Sequence, residues 1–463
     1  MNHSMYRWAF TTFPLMLSCL VAMLLVPLHP ANAARGKSSA GNQKAASSAS
    51  IPPDDSTVSV SLFSGKEPNT LRIQAMRGEW SVRLMPLPAA SGSEPLLAEE
   101  SREMIPEGED ITLLLTAKGI TVRTSRGKEL DTGYCRCEIN GGDTLLLETA
   151  GRQPMLLTGT LEINLQEKAL SFVNRITLGQ YLVSAVSELT QSPEPEAVKA
   201  IIIAVRSRVV RSIMDQRHAT DSVDLCDTPH CMSFSGDAAN RELVSLMTKI
   251  CKNEIMSSNG KPIFARFQNT CGGKISSMKD IYGIDDPNHK AMDDRLDSKG
   301  SENCFHSPAF NWIREFTQEE IADFLSLSFA GGADRVFLRW EPTKVDTAGR
   351  IVEMALRGKR EKKVSGTIFM EAVQQEFGTN SLRSMRFSIE PMRRSTIYRG
   401  IGAGDGVGMC LFGADGLAKK SLDAYRILLF YYRNIELRKG SEAIRPPQEQ
   451  KTRIPVIPPS LRR

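Results

Sequence analysis

Three charged side chains stand among apolar residues in the stretch 178–208, and they are the first candidates for chemistry. Glu188 follows an apolar run, whereas Lys199 and Arg206 lie seven residues apart in a second apolar run and therefore share one face of a helix. Charges in apolar surroundings need either partners or a function, and carboxylic acids in such places serve as general acids and bases. The alternative for Glu188 is a helix-terminal acid without a catalytic role.

Two predicted helices position these residues. Apolar residues recur with helical spacing from Leu178 to Leu189, and the segment 190–193 ends this helix because Pro193 cannot continue its hydrogen-bond ladder. We predict a second helix over Pro195–Ile213, with Ser192 as the capping residue before it. This second helix is apolar around most of its circumference, which is typical of a core helix.

A cluster of cysteine and histidine follows the helices. His218, Cys226, His230 and Cys231 fall close together in a chain with only 6 histidines. Zinc binds thiolate and imidazole in sets of four, so we predict one structural zinc here, with Cys226, His230 and Cys231 as ligands and His218 as the fourth. A Cys226–Cys231 disulfide is the alternative. A thiol or zinc hydrolase using Cys226, His230 or Cys271 ranks lower, because the compact cluster leaves no open coordination position.

A glycine pair marks a possible binding turn. Gly272 and Gly273 allow close approach of the backbone to a ligand and leave amides that point outward, with Lys274 beside them. A nucleotide loop would require serine or threonine after the lysine, but Ile275 follows Lys274. We therefore expect no nucleotide and no organic cofactor.

The chain begins with a pattern typical of an export signal. Arg7 precedes an uncharged apolar run from Trp8 to Leu28, and Ala31 and Ala33 provide a small-residue cleavage pattern, so residues 1–33 are predicted to be a signal peptide or an uncleaved membrane anchor. We expect a periplasmic or cell-envelope location. The net charge of +5 suits an anionic polymer but is too small to indicate nucleic-acid binding.

Composition and periodicity divide the rest of the chain into four parts. Residues 34–56 are predicted to be a flexible linker, residues 57–175 a strand-rich domain, residues 176–437 a mixed α/β catalytic part, and residues 438–463 a basic proline-rich tail. The prediction is therefore an α+β fold in which the strand-rich part packs on the catalytic part, with a groove between them that contains Glu188.

Local patterns add detail to both parts. Cys135 and Cys137 are predicted to lie on one face of a strand, either buried or in disulfides. Helices are predicted over Phe316–Phe329, with Thr317 as the cap, and over Leu422–Leu437.

Several of these motifs together resemble the stage II sporulation protein D family, which contains lytic transglycosylases of peptidoglycan and related amidase enhancers. The likeness extends to about Leu437. The segments that carry it are the two-helix stretch 178–208, the string 224–231, the strand and turn 261–274, the segment 304–312 and the glycine-rich segment 400–414.

The resemblance implies roles for individual residues. Glu188 matches the catalytic glutamate of the family, and Arg206 matches an arginine that the family also uses. Some members hold zinc with two cysteines and two histidines. Lys199, Gly272, Gly273, Lys274, Trp312 and Asp405 are the residues expected to bind glycan. A covalent tie between Cys271 and Cys304 is a further expectation from the family motifs.

Some of these assignments have alternatives. Trp312 either stacks on a sugar ring or is a core tryptophan. Asp405 stands where the family usually has histidine, and Cys410-Leu411 replaces the usual Ser-Gln. If that histidine binds or orients the glycan, this chain should have a lower affinity or rate than its relatives. Asp405 could accept a hydrogen bond there but could not donate one while ionised.

The implied chemistry needs one carboxylic acid. In a lytic transglycosylase the C6 hydroxyl of the sugar is the nucleophile, so Glu188 protonates the leaving oxygen and then accepts the hydroxyl proton. For the first step Glu188 must be in its neutral form, which places Arg206 on the substrate or in the supporting shell and not in a tight ion pair with it. The alternative is a glycan-binding amidase enhancer that activates a cell-wall amidase and cleaves nothing.

Overall fold

A computed structural model describes most of the chain between Asp54 and Lys439. The described ranges are 54–65, 67–76, 78–85, 101–116, 119–134, 136–141, 144–166, 169–189, 192–218, 220–234, 236, 241–251, 253–332 and 335–439. The predicted export segment 1–33, Cys135 and the tail from residue 440 lie outside the described residues.

The N-terminal part is built from strands, as the alternating apolar pattern predicted. These strands are β1 Thr57–Leu62, β2 Thr70–Ala75, β3 Trp80–Met85, β4 Ser101–Ile105, β5 Asp110–Thr116, β6 Gly119–Thr124, β7 Glu129–Tyr134, β8 Arg136–Gly141, β9 Leu145–Glu148, β10 Met155–Leu157, β11 Thr160–Gln166 and β12 Ala169–Thr177. Strands β10-β9-β2-β5-β6-β7 form one antiparallel sheet, and β1-β12-β11-β8-β3-β4 belong to a second. Cys137 on β8 is fully buried and unbonded.

Two helices follow β12 in the chain, and the first begins directly after this strand. Helix α1 spans Leu178–Leu189 and helix α2 spans Pro195–Met214, close to the predicted bounds. The prediction that Ser192 caps α2 is wrong: the capping position is Glu194, which makes no side-chain cap bond. The hydroxyl of Ser192 instead donates a hydrogen bond to the carboxylate of Asp415.

The boundary predicted at residue 175 does not separate two cores. Strand β13, Leu225–Cys226, pairs in parallel with β1 and extends the second sheet to seven strands. A single apolar core, which we call the main-body core, includes residues from β1 through α8. The predicted linker also ends before residue 56, because Asp54 is buried and its carbonyl accepts the amide of Gly179.

The main body continues through short elements up to residue 310. They are α3 Arg241–Ile250, β14 Glu254–Ser258, β15 Lys261–Pro262, β16 Phe267–Gln268, β17 Lys274–Ile275, α4 Met278–Tyr282 and β18 Met292–Asp293.

Residues 311–401 form what we call the second lobe, which has an apolar core of its own. Its elements are β19 Asn311–Thr317, α5 Gln318–Ala330, β20 Phe337–Val345, β21 Ile351–Gly358, β22 Glu361–Ser365, α6 Gly366–Phe377, β23 Phe387–Pro391 and β24 Ser395–Ile401. Thr317 caps α5 in a reciprocal arrangement with Glu320, which confirms the predicted start of this helix.

The chain then returns to the main body. Strand β25, Met409–Cys410, is followed by α7 Leu411–Lys419, α8 Ala424–Tyr431 and β26 Glu436–Lys439. The predicted helix over Leu422–Leu437 is too long, because Asn434 adopts a left-handed backbone conformation with φ 54° and β26 pairs with β14. The α+β fold class is confirmed. Among the described helices, none has both the length and the apolar composition to cross a membrane.

Candidate active site

A cleft of about 1010 Å³ lies where the second lobe meets the main body. The main body contributes Glu188, Pro193, His306, Phe412 and Asp415 to its lining, and the second lobe contributes Met370, Gln374, Asn380 and Arg383. Every lining residue lies between positions 188 and 419, so the walls of this cleft come from the predicted catalytic part alone.

Glu188 lies in the last turn of α1 and lines this cleft. The seven residues before it, from Tyr181 to Ser187, are all buried, whereas Glu188 is half-buried. The helix is thus anchored in the core along its length and presents a carboxyl group at the point where it reaches the cleft. Neighbouring Leu189 and Pro193 give this part of the wall an apolar surface.

A second carboxylate in the cleft is held by three side chains. Asp415, on α7, accepts the hydroxyl of Ser192, lies 2.7 Å from Nε2 of His306 and forms a 2.6 Å ion pair with Lys419. Burial acts to raise the pKa of Asp415, but the hydrogen bonds from Lys419 and Ser192 outweigh it and hold this pKa below its usual range. Asp415 is therefore an ionised group that orients His306 toward the cleft.

The wall formed by the second lobe presents an arginine. Arg383 lines the cleft and is partly exposed. Within the part of the chain that the structure describes, its guanidinium makes no hydrogen bond or ion pair with another side chain. Gln374 lies on the same wall and donates to the carbonyl of Leu382. Arg383 is thus the cation of the cleft that is best placed to meet an anionic ligand.

Arg206 lies in the core and not in the cleft. Its side chain is fully buried and donates to both carboxylate oxygens of Asp54, at 3.0 and 2.8 Å, and to the carbonyls of Cys251 and Glu254. Of the two places predicted for Arg206, these contacts exclude the substrate and leave a supporting role.

Two other predicted glycan contacts also lie away from the cleft. Lys199 forms a 2.7 Å ion pair with Glu196 on the surface of α2. Trp312 is only 7% exposed, donates its ring N–H to the carbonyl of Gly402 and packs against the backbone of Gly400. The prediction that Trp312 stacks on a sugar is therefore wrong, and its alternative as a core tryptophan is correct.

The glycine pair serves internal packing. Gly272 and Gly273 have φ of 68° and 89°, as expected of glycine, but the amide of Gly273 donates to the sulfur of Cys271 instead of pointing outward. A Cβ at Gly272 would lie 2.4 Å from Ile401, so the close packing of this turn against the second lobe requires glycine. The side chain of Lys274 is exposed beside a smaller depression, away from Glu188.

Asp405 is held outside the cleft lining. One of its oxygens accepts hydrogen bonds from Arg266 and Tyr282, both at 2.7 Å, and the other accepts the amide of Val407. The carboxylate is an acceptor, as predicted, but its partners are parts of the protein. The adjacent Gly404 does line the cleft.

The predicted metal ligands come together. The ligand atoms of His218, Cys226, His230 and Cys231 all lie within 4.8 Å of one another, and both cysteines are unbonded. Nε2 of His218 is 3.2 Å from Sγ of Cys231 and 3.2 Å from Nδ1 of His230, which in turn lies 3.8 Å from each sulfur. Hydrogen bonding from Cys231 lowers the pKa of Cys226. These four residues could hold one metal ion.

A second buried cluster was not predicted as such. Cys271, Asp294, Cys304 and Cys410 also place their ligand atoms within 4.8 Å of one another. The expected bond between Cys271 and Cys304 is absent, since both are unbonded and their sulfurs are 3.5 Å apart. Burial raises the pKa of Asp294 to about 7, and hydrogen bonds from Cys271 and Cys410 lower the pKa of Cys304.

Sequence reasoning missed most of the cleft. His306 falls within a segment that was noted, but nothing in the local pattern distinguished it from its neighbours. Asp415 and Lys419 lie on α7, which was not predicted, and Arg383 lies in a loop of the second lobe. The acid–base pair of His306 and Asp415 spans more than a hundred positions, so no local pattern contains it.

Comparisons with known proteins agree with this arrangement of motifs. Residues 166–260 match the SpoIID family of Stage II sporulation proteins, and the chain thus carries a domain of the stage II sporulation protein D family. The match includes α1, α2 and the cluster of His218, Cys226, His230 and Cys231.

Three relatives extend the likeness along the chain. The Stage II sporulation protein D of Bacillus subtilis is 24% identical over 300 residues, which cover 62% of this chain and 81% of that protein. Its namesake from Bacillus amyloliquefaciens is 23% identical, over 63% of this chain and 83% of its own. An uncharacterised protein of Brachyspira hyodysenteriae is 22% identical, over 57% and 67%.

Proposed function

We propose that this protein is a lytic transglycosylase of peptidoglycan that cleaves denuded glycan strands and leaves 1,6-anhydro-muramyl ends. The observation that carries the proposal is the position of Glu188. It is the one predicted catalytic residue that lines the large cleft, and α1 holds it there. A cleft between two lobes with separate apolar cores suits an extended ligand.

In this proposal Glu188 first donates its proton to the glycosidic oxygen that leaves. The C6 hydroxyl of the same muramic acid attacks C1, and Glu188 then accepts the hydroxyl proton, so the bond is exchanged without consumption of water. A single acid–base group therefore serves both halves of the reaction. His306, held by Asp415, is in place to hydrogen-bond a sugar hydroxyl with its remaining ring nitrogen.

Arg383 supports a denuded strand as the substrate. Removal of the stem peptide exposes a carboxylate on each muramic acid, whereas an intact peptide masks it as an amide. A guanidinium binds carboxylate through two parallel hydrogen bonds, and Arg383 lines the cleft with no side-chain partner among the described residues. Its loss should weaken binding of stripped strands more than binding of peptide-bearing ones.

The substitution Glu188→Gln tests the assignment. It keeps the size of the side chain and removes the titrating proton, so stripped strands should still bind while anhydro-product release falls by roughly 10²–10⁴-fold or more. Product release is measured by mass spectrometry and binding by sedimentation with insoluble strands. Glu194→Gln makes the same chemical change at a residue outside the cleft lining and should leave the rate unchanged. Near-normal product release by Glu188→Gln would end the transglycosylase proposal.

The second candidate is a non-catalytic amidase enhancer. Asp405, which pairs with Arg266, favours it, because a carboxylate in place of the family's histidine cannot donate a hydrogen bond to the glycan while ionised. An enhancer would bind stripped strands and raise the rate of a cell-wall amidase, and the wild-type protein would release no anhydro ends. The same digest therefore distinguishes the two candidates.

A structural zinc at His218, Cys226, His230 and Cys231 is part of the proposal. Around tetrahedral zinc, ligand atoms at Zn–N and Zn–S distances of about 2.0–2.3 Å are separated by about 3.3–3.8 Å. The four measured separations between these ligand atoms, from 3.2 to 3.8 Å, fit that range. The ion would tie β13 to the turn after α2 and would take no part in the reaction.

The zinc content of the purified protein and its variants tests this part of the proposal. Cys226→Ser should lower the zinc content of purified protein by about one ion per chain. Cys137→Ser changes another buried, unbonded cysteine and should leave the content unchanged. A Cys226–Cys231 disulfide found by non-reducing peptide mapping would contradict the zinc site.

We also propose an exported location in the periplasm or cell envelope, because the substrate is found there. A cell-wall amidase is the expected partner, and nucleic acid is not. Fractionation of cells expressing the tagged full chain, with and without residues 1–33, tests export and separates a cleaved signal from a membrane anchor.

A further inference from the structure

Three cysteines and one aspartate meet in the interior behind the cleft. Cys271, Cys304, Cys410 and Asp294 come from four separate segments of the chain, all four are buried, and their ligand atoms lie within 4.8 Å of one another. A Cys410 thiol alone would be an ordinary core residue. Four potential ligands at one buried point are enough to coordinate a metal ion tetrahedrally.

The carboxylate is oriented toward the sulfurs. Oδ1 of Asp294 accepts hydrogen bonds from Tyr431 at 2.8 Å and Asn303 at 3.2 Å, whereas Oδ2 lies 2.9 Å from the sulfur of Cys271. One oxygen is therefore fixed by two neutral donors, and the other faces the cysteines. Metal-bound carboxylates are held in this way by groups outside the coordination sphere.

Backbone amides point at the sulfurs as well. The amides of Cys271 and Gly413 donate to the sulfur of Cys410 at 3.2 and 3.3 Å, and the amide of Gly273 donates to the sulfur of Cys271 at 3.3 Å. Cys410 also stands at the capping position of α7, so its sulfur lies at the positive end of the helix dipole. These donors stabilise negative sulfur, which is the form that binds a metal.

A glycine keeps the space open around the carboxylate. A Cβ at Gly413 would lie 2.2 Å from the hydroxyl of Tyr431 and 2.7 Å from Oδ2 of Asp294. Any larger residue would push the aspartate or the tyrosine away from the cluster. The close approach of α7 to Asp294 therefore depends on this glycine.

A disulfide between Cys271 and Cys304 accounts for less of this arrangement. It would use two sulfurs and would not explain why Cys410 and the fully buried Asp294 lie beside them. Zinc bound by all four groups uses every ligand: the three thiol protons pass to solvent on binding, and the ion offsets two of the four negative charges, while the backbone amides at the sulfurs and the donors to Asp294 stabilise the rest.

We propose that Cys271, Asp294, Cys304 and Cys410 form a second metal site, which binds one zinc ion independently of the first cluster. Thiolate and carboxylate are both zinc ligands, and four protein ligands leave no position for a substrate. The site is structural. It joins the start of α7, which carries Asp415, to the segments 271–294 and 304, and so fixes one wall of the cleft.

Zinc analysis of matched variants tests this proposal. After dialysis against metal-free buffer, the wild-type protein should hold about two zinc ions per chain, one for each four-ligand site. Cys226→Ser/Cys231→Ser and Cys304→Ser/Cys410→Ser should each retain about one. The control Cys137→Ser removes a buried cysteine outside both clusters and should retain the wild-type content.

A measurement on the unchanged protein covers the case in which the second double variant fails to fold. Diffraction data collected at the zinc absorption edge should show an anomalous peak about 2.3 Å from the sulfur of Cys304. A peak at the first cluster alone, or a Cys271–Cys304 disulfide in non-reducing peptide mapping, overturns the proposal. Glu188→Gln should keep the full zinc content, so this site and the proposed activity can fail separately.

Discussion

The buried arginine of α2 gives the sharpest prediction about stability. Arg206→Ala removes a side chain that has no exposed surface and that donates four hydrogen bonds. Two of these go to Asp54 and two go to the carbonyls of Cys251 and Glu254. The carboxylate and both carbonyls stay behind without these donors. The effect should therefore fall on the free energy of unfolding, and on activity only through it.

The size of the loss follows from the burial of the pair. Removal of one partner of a buried ion pair costs about 3–5 kcal/mol, because the other charge is left without compensation. The side chain of Asp54 keeps 11% of its surface exposed, so water can partly solvate it after the change. We expect a loss near the lower limit, about 3 kcal/mol.

Urea unfolding followed by tryptophan fluorescence measures this loss. Lys199→Ala is the matched control, since its ion pair with Glu196 lies on the same helix but at the surface, and it should cost no more than about 1 kcal/mol. Arg206→Lys keeps the charge but loses the planar fork to Asp54, so it should fall between the two. An Arg206→Ala protein of wild-type stability that no longer binds glycan strands would refute the reasoning.

Two further predictions concern the second lobe and the cleft. Gly400→Ala should cost about 1–3 kcal/mol by overpacking, because the added Cβ would lie 2.0 Å from the ring of Trp312; Gly332→Ala, with open space around it, is the control in the same urea assay. Asp415→Asn should cost about 1.5–3 kcal/mol at neutral pH, where the ionised carboxylate holds Lys419. Because the pKa of Asp415 is lowered in the folded state, its contribution is present above the ordinary value of 3.8 and is lost as the pH falls through the lowered pKa. The difference between wild type and Asp415→Asn should therefore shrink in acid, and a difference that stays constant down to pH values of about 2 would contradict the assignment.

Local patterns predicted the helices that carry Glu188 and Arg206. The apolar period and the proline break placed α1 and α2 to within one residue at each end, because both signals act between residues a few positions apart. The cap at Ser192 failed for a different reason. Its hydroxyl is used by Asp415, more than two hundred positions away, and nothing near Ser192 signals that partner.

The roles of several core residues depended on distant contacts in the same way. The sequence shows that Arg206 is charged and lies in an apolar helix, but its partner Asp54 falls in a segment that looks like a linker. The sequence likewise shows six glycines in 400–408 and 413, but not that Gly400 receives the ring of Trp312. In each case the residue type was noted and the neighbour that gives it a role was not.

The departures from the family pattern in the glycine-rich segment are compensated within the fold. Asp405 replaces a histidine, and its charge is offset by Arg266 while Tyr282 donates to the same oxygen. Cys410 replaces a serine, and its sulfur accepts two backbone amides beside Asp294. Neither change alters Glu188 or the residues that hold Asp415. The departures therefore belong to the packing behind the cleft, and they weigh less against a catalytic role than the sequence alone suggested.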